Sequence, residues 1–292
     1  MPETLKTDIC VIGAGSAGLT VAAAAAAFGV PVVLVEKGRM GGDCLNYGCV
    51  PSKALLAAGR RAQAIREAGV FGISLPGEPE IDMRAVNDHI RAVIDAIQPN
   101  DSQERFTALG VRVIRAPGRF VNRRTLEAGD FLVRARRFVI ASGSSPALPP
   151  IPGLHTVDFF TNETIFASRR RLSHLVVVGG GPIGVEMAQA FRRLGSKVTL
   201  IEAQRALGGE DPELAAFVLD RLRAEGVQLI EATSILSVER RGKSGVRLKL
   251  ISADGEDGEL EASDLLIATG RTPTLDGLGL RRDDHRARGR DA

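Results

Sequence analysis

Short apolar runs recur at wide spacing along the chain, separated by stretches of helical period. Ile9-Cys10-Val11-Ile12 and Val32-Val33-Leu34-Val35 are continuous apolar runs, the pattern of strands buried on both faces. Between them an alanine-rich segment to about Phe28 predicts a helix, and the small residues at 22–27 suit a helix covered on several sides. A further helix is predicted from 54 to about 68, then a Gly- and Pro-rich loop over 69–79. Residues 82–98 place Val86, Ile90, Val93, Ile94 and Ile97 on one helical face, and Pro99 ends that helix. Asp101-Ser102 caps a short helix to about Leu109. Strands are predicted at 111–115, 118–121 and 131–133 as a small β-meander, and again at 137–140. The Pro-rich stretch 146–153 is the best domain boundary.

The second half repeats the opening. Strands at 175–178 and 197–201 flank a predicted helix to about Leu194, and a helix at 211–225 and strands at 227–230, 235–240, 246–251 and 265–268 follow. Each half carries a Gly-x-Gly-x-x-Gly turn between strand and helix, with an acid at the end of the next strand. Gly13, Gly15, Gly18 and Glu36 correspond to Gly179, Gly181, Gly184 and Glu202, each 166 positions on (Gly179 against Gly13). In such a turn the first glycine makes the tight bend. The second lets backbone approach a pyrophosphate at the helix N-terminus, and the third lets the helix lie close to the strand. One such turn is weak evidence, whereas two with the same acid spacing are strong. The expected fold class is therefore α/β, with two Rossmann-like dinucleotide-binding domains, each with a parallel sheet and a small β-meander. Their expected extents are 1–150 and 151–273, with 274–292 as a truncated return segment and tail.

Composition narrows the class. Apolar residues make up 44% and charged residues 25% of 292, which suits a globular protein with well-filled cores. Of the net charge of +3, the last twelve residues supply +2, with five Arg and three Asp. No basic stripe is legible within the folded part, so no nucleic-acid partner is expected. The alanine run is too short to span a bilayer and the N-terminus lacks a basic signal-peptide region, so neither a membrane nor export is expected. Three cysteines fit a reducing compartment, hence a cytoplasmic location. No second Cys/His pair accompanies Cys44 and Cys49, so no metal site is expected. Cys10, inside a strand, is read as a small buried hydrophobe.

Cys44 and Cys49 lie five positions apart in Gly41-Gly42-Asp43-Cys44-Leu45-Asn46-Tyr47-Gly48-Cys49-Val50-Pro51-Ser52-Lys53. A Cys pair of this kind after a βαβ-like start points to redox chemistry. Pro51 suits a first helical turn, which sets Cys49 just ahead of a helix N-terminus, where the dipole stabilises a thiolate. The stretch resembles the redox-active disulfide signature GGxCxNxGCxPSK of the pyridine nucleotide-disulfide oxidoreductases, a group that includes dihydrolipoamide dehydrogenase, glutathione reductase and mercuric reductase. Asp43 departs from it, since most relatives carry a small hydroxyl residue there. Ser142-Gly143 resembles the family's ATGSxP segment with Ser for Thr, and Thr269-Gly270-Arg271-Thr272-Pro273 its ATGRxPN turn.

The resemblance implies an electron relay from reduced nicotinamide through FAD to the Cys44–Cys49 disulfide and on to a small-molecule disulfide or related acceptor. It places FAD on Gly13, Gly15, Ser16, Ala17, Gly18, Glu36, Lys37, Gly42, Asp43, Cys44, Lys53, Ser142 and Gly143. It places the nicotinamide nucleotide on Gly179, Gly181, Ile183, Gly184, Glu202, Gly270 and Arg271. Cys49 is implied as the thiol beside the flavin, Cys44 as the interchange thiol, and Lys53 as the partner of Glu186 near the flavin. NADH is expected over NADPH, because the carboxylate of Glu202 suits ribose hydroxyls and repels a 2′-phosphate. Full-length relatives are homodimers with a further flavin segment and a dimerisation domain, and His89, His155, His174 and His285 all lack the context of their catalytic histidine. An incomplete chain with little activity alone is therefore expected. Two other classes remain: a non-catalytic FAD/NADH-binding protein, and a flavin-free thiol redox protein.

Overall fold

The computed structural model describes residues 2–74, 76–242 and 245–280. The chain forms two compact units, each discontinuous in sequence. Among the described residues the first comprises 2–46, 95–145 and 273–280, and the second those of 47–94 and 146–272. This grouping differs from the continuous ranges read off the sequence, because the helix after Cys49 makes its contacts in the second unit. The expected tail over 281–292 lies outside the described residues.

The first unit is built on one six-stranded sheet. In spatial order its strands are Arg112–Ile114, Val32–Val35, Glu3–Ile12, Phe131–Ile140, Thr125–Ala128 and Gly118–Asn122. The first four are parallel and the last two add as an antiparallel hairpin. The expected meander is thus part of the main sheet. Residues 131–133 and 137–140 are also one strand, not two. Strand alternation divides the core. Val11 and Leu34 face the Ser16–Ala27 helix with Leu19, Ala22 and Phe106, while Cys10, Ile12, Val33 and Val35 face Ile114, Leu126 and Val133. The helix buries one stripe only, Gly18, Leu19, Ala22 and Ala25, and leaves Ala24 and Ala27 exposed. Val21, Ala23 and Ala26 pack partly against the same core, so the expectation of cover on several sides is corrected only at the open positions Ala24 and Ala27. The return segment closes the unit, with Phe120 N donating to Leu278 O at 2.8 Å and Leu278 buried.

The second unit has a four-stranded parallel sheet in the order Gln228–Ile230, Lys197–Ile201, His174–Val178, Asp264–Ile267. Here the meander is a separate three-stranded antiparallel sheet, Thr233–Arg241, Gly245–Ser252 and Asp257–Ala262. Leu175 and Val177 point to a helical layer that includes Leu55, Phe191, Leu219 and Leu222, whereas Val176 and Val178 point to the meander residues Val238, Leu248 and Leu250. Burial on both faces explains why these strands are continuous apolar runs. The helices Cys49–Arg66 and Pro182–Arg193 approach closely at Gly59, where an added Cβ would stand 3.3 Å from Ala190 O. Arg66 Nη1 also donates to Arg193 O at 2.7 Å. Among the described residues no helix is long and apolar enough to cross a membrane.

Candidate nucleotide and redox site

The two glycine turns match atom for atom. Gly13 N donates to Val35 O at 2.8 Å, and Gly179 N to Ile201 O at 2.9 Å. Both first glycines have positive φ, +106° and +108°, and an added Cβ would overlap the carbonyl oxygens of Ala141 and Ala268 respectively. The third glycines, Gly18 and Gly184, lie so close that a Cβ would overlap the carbonyl oxygen of Gly13 or Gly179. The acids match as well. Glu36 accepts from Ala14 N and Gly38 N, both at 2.5 Å, and Glu202 accepts from Gly180 N at 2.7 Å and Gln204 N at 2.9 Å. Each carboxylate therefore also holds its glycine turn in shape. The correspondence reaches further than the sequence shows: Gly41 N donates to Ala14 O at 2.9 Å and Leu207 N to Gly180 O at 2.8 Å, the same offset. Leu207 takes the positive φ of 51° that a glycine supplies in the first unit.

The second glycines are the open ones. At Gly181 an added Cβ would meet nothing within 4 Å, and at Gly15 only Gly42 Cα at 3.8 Å. That is the clearance a pyrophosphate needs over a helix N-terminus, and both turns fit one. In the second unit the clearance opens into a cleft of about 220 Å³ lined by Gly179, Gly181, Ile183, Glu202, Gly270, Asn162 and others. Asn162 was not singled out from the sequence. Asn162 is buried, accepts from Arg271 Nη1 at 3.3 Å and donates to Tyr47 O at 3.3 Å. Its one available signal was Thr161-x-x-Thr164, which forms a capping box that starts the Asn162–Ile165 helix.

In the first unit the cysteine-bearing loop lies on the glycine turn. Gly42 has φ +57°, and a Cβ there would stand 2.5 Å from Gly15 Cα. Gly42 and Asp43 begin the Gly42–Asn46 helix, and Asn46 Nδ2 ties it down by donating to Gly42 O at 2.8 Å and Met40 O at 3.1 Å. Cys44, on this helix, is half-buried. Ser16 and Ala17 open the Ser16–Ala27 helix, and Lys37 follows Glu36 on the surface. Ser142 and Gly143 follow the Phe131–Ile140 strand, with Gly143 at φ +73° and its carbonyl accepting from Thr274 N at 2.9 Å.

Cys49 is exposed and is the first residue of the Cys49–Arg66 helix, inside it rather than just ahead of it, because Gly48 takes the N-cap position. Lys53 lies one turn on, so both point to one helix face. Lys53 Nζ meets Glu186 Oε1 at 2.6 Å, with the side chains 61% and 35% exposed. An ion pair this exposed adds no more than about 1 kcal/mol to stability. Its consequence is positional: it joins the first turns of the cysteine helix and of the helix that follows the second glycine turn. Burial drives the thiol pKa of Cys10 up to about 12, so that thiol is inert. Among the described residues no group of His, Cys, Asp and Glu could hold a metal ion.

A family model described as pyridine nucleotide-disulphide oxidoreductase matches residues 7–290. The chain belongs to that family. As a family member it is 36% identical over 280 residues to the mercuric reductase of Streptomyces lividans, a match that covers 94% of this chain and 59% of that protein. It is 34% identical over 285 residues to the dihydrolipoyl dehydrogenase of Bacillus subtilis, covering 93% of this chain and 60% of that protein. Among solved structures it is similar to the copper(II) complex of the HOCl-induced flavoprotein disulfide reductase RclA from Escherichia coli. The TM-score there is 0.79 at 27% identity, covering 94% of this chain and 59% of that one. The chain thus spans about three-fifths of the length of these oxidoreductases.

Proposed function

We propose that the chain carries the nucleotide-binding and dithiol parts of a flavin-dependent NADH:disulfide oxidoreductase. The observation that carries this reading is the Lys53–Glu186 pair, which joins the helix begun by Cys49 to the helix begun at the second glycine turn. The first glycine turn and Glu36 hold FAD, with Ser16, Ala17, Lys37, Gly42, Asp43, Ser142 and Gly143 along it. The second turn and Glu202 hold the nicotinamide nucleotide, with Ile183, Gly270 and Arg271 along the cleft. When bound, FAD supplies passage of an electron pair from a reduced nicotinamide to a disulfide.

The chain's own residues do the thiol chemistry. With both cysteines reduced, the Cys44 thiolate attacks one sulfur of the acceptor disulfide. A mixed disulfide forms and one acceptor thiolate leaves. The Cys49 thiolate then attacks the Cys44 sulfur, closing Cys44–Cys49 and releasing the second acceptor thiolate. Each leaving thiolate takes up one proton. Lys53, held by Glu186, keeps a positive charge one turn from Cys49, where negative charge develops.

A visible spectrum of the purified chain with added FAD separates this reading from its alternatives. A bound flavin band that bleaches with NADH supports it. A band that NADH leaves unchanged favours a non-catalytic binder, and no bound flavin favours a thiol-only protein. For the nucleotide, NADH is expected to bind at least about tenfold more tightly than NADPH, a difference of about 1.4 kcal/mol. The carboxylate of Glu202, fixed by two backbone amides, meets ribose hydroxyls with its remaining lone pairs and repels a 2′-phosphate. Fluorescence titration with both nucleotides checks this. Tighter NADPH binding would reject it and point to Arg205, three residues beyond Glu202.

A further inference from the structure

The sequence shows no basic stripe, yet folding makes one. In the first unit Lys6, Arg123, Arg124, Arg134, Arg136 and Arg137 line a single concave surface of about 840 Å³. They come from three segments, the first far from the other two in the chain. Lys6 lies on the Glu3–Ile12 strand, the Arg123-Arg124 pair forms the hairpin tip between Gly118–Asn122 and Thr125–Ala128, and the other three lie on Phe131–Ile140. The tip is fixed by Arg124 N donating to Asn122 Oδ1 at 2.9 Å. The rest of the lining is Thr7, Asp8, Pro31 and Ala135. Among the described lining residues Asp8 is the one carboxylate, and Arg136 Nη1 engages it at 3.0 Å; Arg123 is not without a partner either.

This arrangement costs stability. Lys6 and Arg134 are direct partners across two hydrogen-bonded strands. Like charges placed so repel each other, and Lys6 and Arg134 are both exposed, so no burial offsets the repulsion. A multiply charged anion would reverse the sign of that interaction. Its chemistry can be narrowed. Among the described residues no aromatic side chain lines the surface, so none of them stacks on a base. The guanidinium groups of Arg124, Arg134 and Arg137 favour oxygens held in bidentate geometry, and a concave basic wall concentrates the field on a compact ligand. We infer that this surface binds a chain of linked phosphates, of triphosphate class, either inorganic or carried by a nucleoside. It lies on the first unit, among residues separate from those of the glycine turn and Glu36.

The test is calorimetric titration of the 292-residue chain with inorganic triphosphate, alongside the Lys6→Gln/Arg134→Gln variant. Saturable binding, weakening as salt rises, is expected, with at least about a tenfold loss in the variant. ATP titrated the same way identifies the source, counting only the affinity that the variant loses. Equal loss for ATP and triphosphate means that the phosphate chain alone is read, and a larger loss for ATP means that a nucleoside carries it. Unchanged triphosphate affinity in the variant overturns the inference and moves the anion to a glycine turn. Absence of saturable binding, or tighter binding of a polyglutamate peptide or duplex DNA, overturns it too. Thermal melting checks that the variant is folded: without anion it should melt at the wild-type temperature or above, because a repulsive pair is gone. A lower melting temperature there also overturns the inference.

Discussion

Unfolded without reductant, the oxidised chain is expected to show one titratable thiol, rising to three after reduction. The one is Cys10, which lies fully buried in the central strand and becomes reactive only when the fold opens. The other two are Cys44 and Cys49, joined as a disulfide in the oxidised state under the proposed function. Thiol counting under both conditions checks this, and three thiols without reduction would remove the dithiol from the proposal. The same reading sets the outcome of Cys44→Ser or Cys49→Ser. Either change leaves one sulfur, so the exchange described above cannot close. Acceptor reduction is expected to fall by about 1000-fold or more, as it does when an attacking nucleophile is lost elsewhere. Each variant should gain a second titratable thiol without reductant, from the cysteine left behind. A Cys44→Ser chain that still reduces a disulfide at the wild-type rate would show that Cys44 does not attack the acceptor.

Replacing the glycines of the second turn by alanine should separate stability from binding. Gly184→Ala is expected to destabilise the chain by about 3 kcal/mol or more. The added methyl would overlap Gly179 O and stand 3.1 Å from Gly179 C and 3.4 Å from Val177 Cγ1. Those neighbours are mostly backbone, and backbone between a strand and a helix cannot yield cheaply. Gly181→Ala is the contrast. Its φ of −72° and ψ of 176° suit any residue, and its methyl would meet nothing in the protein. Stability should hold or rise by a few tenths of a kcal/mol, roughly, through the stiffer unfolded chain. NADH binding should collapse, because the methyl fills the clearance over the helix N-terminus. Thermal melts and NADH titration of the two variants check this. If Gly181→Ala bound NADH like the wild type, the pyrophosphate would not lie over that turn.

Much of the candidate site was legible because its rules are local. Gly18 and Gly184 are fixed by contacts within one strand–turn–helix, which leave a fixed spacing in the sequence. Glu36 and Glu202 each hold the same two loop amides, so their distance from the first glycine is fixed too. Family resemblance supplied the Lys53–Glu186 pair, which spacing alone could not, since the partners lie on different helices.

The sequence by itself determined two glycine turns with their acids, the helices of strong period and the strands buried on both faces. In each case burial or backbone geometry imposes a pattern within a dozen residues or so. The tertiary structure alone decided what depends on partners distant in the chain. The strands Glu3–Ile12 and Phe131–Ile140 read short because parts of them are exposed and polar, carrying Lys6, Arg134 and Arg136 where an apolar run would have marked a strand. Those same charges form the concave basic surface, so the feature that hid the strands could be seen only once they were paired. Asn162 joined the nucleotide cleft by the same route, through contacts with Tyr47 and Arg271 that no local period records.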